Sequence, residues 1–60
     1  MTIVFRDRHD YSEVTVEGAS RCEYEIVTKG HPLRFWKVTK TSGDVLHYDK
    51  TRYNIITIAD

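Results

Sequence analysis

A chain of 60 residues buries only about 60% of the surface its unfolded form exposes, so one marginally stable domain spanning 1–60 is the most it can build. Hydrophobic residues make up 40% and aromatic residues 12%, with a single proline, which excludes a disordered or low-complexity chain. Nine Lys and Arg balance nine Asp and Glu; no long-range field draws the whole molecule to nucleic acid or to an anionic membrane, and any such binding has to be local.

The N-terminal stretch MTIVFRDRHD is too short and too quickly charged for a signal peptide, and no apolar run approaches membrane-spanning length. Beginning at Met1, the chain is expected to be a complete small protein. Its first strand candidate is TIVFR, followed after RHDY by EVTVE. Asp10 with Glu13 has capping-box spacing, but Val14, Thr15 and Val16 together disfavour a helix there.

A loop of Gly18, Ala19 and Ser20 is predicted to turn EVTVE back on CEYEIV, with Glu17 opposite Arg21, Val16 opposite Cys22 and Val14 opposite Tyr24. The same segment also carries a helix pattern, because Ser20 and Glu23 form a capping box and Gly30 stops a helix over 21–28. Strand is favoured narrowly. Cys22 is the only cysteine, which excludes an internal disulfide and favours a reducing, cytoplasmic setting. Facing Val16, it is expected to act as a small apolar residue.

After KGHP, the strands RFWKVTK and DVLHY are separated by Thr41, Ser42 and Gly43. A three-residue loop ending in glycine suits a type I turn closed by a G1 bulge. It sets Lys40 opposite Asp44, Lys37 opposite His47, Val38 opposite Leu46 and Trp36 opposite Tyr48. A slip of one residue would put Val38 against His47 and mix the two faces. The last strand, RYNIITI, is predicted to fold back through Lys50 and Thr51, with Asp49 against Arg52, Tyr48 against Tyr53 and Leu46 against Ile55. Trp36, Val38, Leu46, Tyr48, Tyr53 and Ile55 then form the core face.

Strong β-forming runs joined by tight turns predict an all-β, mainly antiparallel fold. The expected architecture is a five- to six-stranded meander or a half-open barrel of SH3-like or OB-like shape. The reverse face gathers Phe35, Lys37, Thr39, Val45, His47, Asp49, Arg52, Asn54 and Ile56. From it Phe35, Lys37, His47, Arg52, Asn54 and Ile56 are the candidate binding residues.

Catalysis is not expected. His47 and Asp49 share a strand face, but no serine or cysteine stands beside them as nucleophile, and Asp49 is expected to pair with Arg52. His9, His31 and His47 lack metal-ligand spacing, and the three glycines do not form a phosphate loop, so no metal and no cofactor are expected. The chain is expected to act as a small adaptor or inhibitor, a monomer or homodimer that binds another protein through a strand edge and the mixed face. The second class is single-stranded DNA or RNA bound by Phe35, Lys37, His47 and Arg52, with Arg34 and Lys50 at the edges.

Overall fold

A computed structural model of the chain describes residues 1–28, 30 and 32–60. Six strands follow one another: β1 (Thr2–Asp7), β2 (Glu13–Val16), β3 (Ala19–Val27), β4 (Leu33–Lys40), β5 (Val45–Asp49) and β6 (Tyr53–Ala59). They form two antiparallel three-stranded sheets, ordered β2-β1-β6 and β3-β4-β5. The fold is therefore all-β, as the runs of β-branched and aromatic residues require. The two sheets remain separate, and no closed barrel ladder joins them among the described residues. The KGHP turn includes Lys29 and His31, which lie outside the described residues.

The β4–β5 hairpin has the register its turn demands. The Lys40 amide donates to the Asp44 carbonyl at 2.8 Å and the Gly43 amide to the Lys40 carbonyl at 2.9 Å. Gly43 has φ +96°, a left-handed conformation that a side chain would resist. Trp36 consequently lies opposite Tyr48, Lys37 opposite His47 and Val38 opposite Leu46.

Two other connections differ from the expected hairpins. β2 pairs with β1, placing Val14 opposite Phe5 and Val16 opposite Ile3. β3 is a strand and not a helix; it pairs with β4, so that Cys22 faces Val38 and Tyr24 faces Trp36. Ser20 does not cap a helix; its hydroxyl donates to the Thr39 carbonyl at 3.0 Å. Between β2 and β3 only Glu17 and Gly18 intervene, and Gly18 has φ +71°. The chain thus turns a corner from one sheet into the other. That corner is tied by Ala19 N to Met1 O and Thr41 N to Gly18 O, both 2.9 Å.

β6 likewise leaves the sheet of β5 and pairs with β1, setting Ile55 opposite Phe5 and Ile58 opposite Ile3, with a bulge between. The driving force is burial: Ile3 and Phe5 of the central strand β1 are wholly excluded from solvent, and each such side chain stabilises the fold by about 1.5–3 kcal/mol. The core is completed by Val16, Ala19 and Val38, with Val14, Cys22, Trp36, Leu46, Tyr48, Tyr53 and Ile55 packed around it. Tyr48 and Tyr53 do meet, edge to face at 5.5 Å, but across the sheets and not along a ladder.

Candidate binding surfaces

Alternation along β3, β4 and β5 sends Tyr24, Trp36, Val38, Leu46 and Tyr48 toward the other sheet and their neighbours outward. The outward face has four rows: Val27 beside Leu33; Glu25, Phe35 and Asp49; Glu23, Lys37 and His47; Arg21, Thr39 and Val45. Three candidates, Phe35, Lys37 and His47, are brought together here. The Phe35 and His47 rings meet edge to face with centroids 5.8 Å apart. The Lys37 ammonium lies 3.9 Å from the Glu25 carboxylate.

The remaining three candidates stand elsewhere. Asn54 is opposite Arg6 on β1, not opposite His47, and its side-chain oxygen accepts from the Arg8 Nε at 2.9 Å. Ile56 is the extra residue at the β6 bulge, where the partners of β1 step from Ile55 to Thr57. Arg52 sits in the β5–β6 turn and donates through Nε to Asp7 at 2.9 Å.

This last contact replaces the expected Asp49–Arg52 side-chain pair. Asp49 is occupied locally, accepting from the Thr51 amide at 2.8 Å and hydroxyl at 2.7 Å. Those hydrogen bonds hold its carboxyl below the usual value. Asp7 is the one charged side chain buried among the described residues, 1% exposed. Its other oxygen accepts from the His9 amide at 2.7 Å. Bonding and attraction to Asp7 raise the Arg52 guanidinium further above its ordinary range.

Two features were not anticipated. At the edge of the core, Tyr24 and Trp36 meet edge to face at 5.8 Å, and Lys50 lies 4.8 Å from the Tyr24 ring and 5.8 Å from that of Trp36. Pairing β3 with β4 would have revealed this cluster in advance. The second is an open cleft of about 370 Å³ lined by Arg8, His9, Thr51 and Arg52. Its residues come from opposite ends of the chain, and no local pattern links them.

Cys22 is half-buried, and burial, with the nearby Glu23, raises its thiol pKa. Among the described residues no three His, Cys, Asp or Glu side chains converge as a metal site. No helix among them is long and apolar enough to cross a membrane. Comparisons with protein-family models, curated proteins and solved structures return no significant match.

Proposed function

We propose that the chain is a small non-catalytic protein-binding module, an adaptor or inhibitor that contacts its partner through the outward face of β3-β4-β5 and the free edge of β5. One observation carries this reading: Val27, Leu33 and Phe35 are contiguous on a face where alternation calls for polar residues. Val27 and Leu33 are 37% and 51% exposed. An apolar corner of an open sheet face, rimmed by Glu23, Glu25, Lys37 and His47, suits a protein contact with a charged margin. β5, at the end of its sheet, offers backbone groups for strand addition by a partner or by a second copy. A reducing, cytoplasmic setting accords with the lone thiol.

Nucleic acid ranks second. Glu23 and Glu25 flank Lys37, Arg52 is engaged by Asp7, and the cations once grouped on one face are divided between two surfaces. The deciding experiment is affinity capture with the wild-type chain and with Leu33→Asp and Phe35→Asp, alongside retention on single-stranded DNA. A protein captured by the wild type, retained as salt rises and lost with both variants supports the reading. Capture unaffected by either variant, or DNA retention that falls steeply with salt and disappears in Lys37→Glu, sinks it.

A further inference from the structure

We propose that the cleft between the β1–β2 and β5–β6 turns binds a small-molecule phosphomonoester, held by Arg8, Arg52 and His9. This site is separate from the protein-binding face and does not depend on it. The argument begins with how the two arginines are fixed. Arg52 uses its Nε on the buried Asp7, which leaves both of its terminal nitrogens unspent by that bond. Arg8 uses Nε and Nη2 on the Asn54 side-chain oxygen, a neutral partner that orients the guanidinium without cancelling its charge.

The backbone then sets the spacing of the pair. The Arg8 amide donates to the Arg52 carbonyl at 2.7 Å, so the two turns are joined at the residues that carry the guanidiniums. The same Asp7 carboxylate that anchors Arg52 also accepts the His9 amide. Three of the four lining residues are thus positioned by one hydrogen-bonded unit, which lowers the ordering cost that binding must overcome.

The chemistry of the lining selects the ligand class. Two arginines, a histidine and a threonine line the cleft among the described residues; the Thr51 hydroxyl is spent on Asp49, so the donors for a ligand come from the arginines and His9. Asp10 and Asp49 lie near enough to attract Arg52, but their oxygens are turned to local donors, those of Asp10 to the Ser12 amide and hydroxyl and those of Asp49 to the Thr51 amide and hydroxyl, and so do not occupy the arginine forks. A planar carboxylate is satisfied by one guanidinium fork, whereas donors arriving from two arginines and a histidine match the three terminal oxygens of a phosphate group. The cleft, at about 370 Å³, is larger than a lone phosphate requires and falls at the small end of ligand pockets, roughly 300–1,000 Å³. The phosphate is therefore expected to bring an organic portion with it.

The test is a titration followed by amide NMR, using glucose 6-phosphate, glycerol 3-phosphate and adenosine 5′-monophosphate, with inorganic phosphate and chloride at matched ionic strength. The expected result is saturable shifts centred on Arg8, His9, Thr51 and Arg52 for at least one monoester, tighter than for inorganic phosphate. Arg8→Gln should weaken that binding roughly tenfold or more, and so should Arg52→Lys, which keeps a charge against Asp7 but removes the fork. The unperturbed amide spectrum elsewhere reports that each variant is folded. Shifts that track ionic strength without saturating, equal affinity for inorganic phosphate, or unchanged binding in folded Arg8→Gln would each overturn the proposal.

Discussion

The rings of Phe5 and Tyr48 stack across the two sheets, with centroids 4.4 Å apart and planes inclined by 25°. Phe5 comes from the central strand of one sheet and Tyr48 from an edge strand of the other, so this contact helps to hold the layers face to face. Phe5→Ala should cost about 3–5 kcal/mol, enough to unfold most of the population of so small a domain. Urea titration followed by Trp36 fluorescence measures it; a loss below about 1 kcal/mol would mean that the sheets are held together by something else.

Asp7 and Glu13 make a controlled comparison of ion pairs on the same sheet. The Asp7–Arg52 pair has one partner only 2% exposed, while Arg6 and Glu13 are 45% and 50% exposed. Asp7→Ala should destabilise by about 1–3 kcal/mol, since it removes a buried acceptor of two hydrogen bonds. Glu13→Ala should change stability by less than about 1 kcal/mol. Equal effects in thermal melts would contradict the burial argument.

Tyr11 has φ +63° and is 75% exposed, so its ring gains little from packing while its backbone sits in the left-handed region. Asn tolerates that region far better. Tyr11→Asn is expected to raise stability by about 0.5–1 kcal/mol, read as an upward shift of the melting temperature.

Acid should weaken the fold through its turns. Asp10 and Asp49 are both held below the ordinary aspartate value of 3.8, in each case first by a side-chain and then by a backbone hydrogen bond, from Ser12 and Thr51 respectively. Below 3.8 the unfolded chain takes up protons that the folded chain still refuses, so stability is present in full above that value and is lost as pH falls through the folded pKa values. Both groups are exposed, and screening keeps the effect small. Asp49→Asn should flatten the acid limb of a plot of urea midpoint against pH; an unchanged limb would remove Asp49 from the account.

Five strands were plainly legible because each is a short β-forming run bounded by turn residues, a signal carried within a few positions; β3 was favoured only narrowly over a helix at 21–28, because Ser20, Glu23 and Gly30 also carry helix-end signals. The β4–β5 register was legible for the same reason, with Gly43 fixing the bulge. The partners of β2, β3 and β6 were not. A two- or three-residue connection ordinarily reverses a strand within its own sheet, but here Gly18 and the Asp49–Arg52 turn move the chain between layers. What decides this is burial of Ile3 and Phe5, whose β6 partners lie near the far end of the sequence. The cleft was hidden by the same distance: Arg52 finds Asp7 across 45 positions, and local spacing favoured Asp49 instead.

The pairing of β1 with β6 also orders events during synthesis. The β3-β4-β5 meander has only neighbouring strands to recruit and is complete once Asp49 has left the ribosome. The other sheet must wait for β6 to emerge, leaving Ile3 and Phe5 wet until then and concentrating the entropy of loop closure in one later step. A stalled nascent chain lacking its last strand would accordingly present a half-built layer to chaperones and proteases.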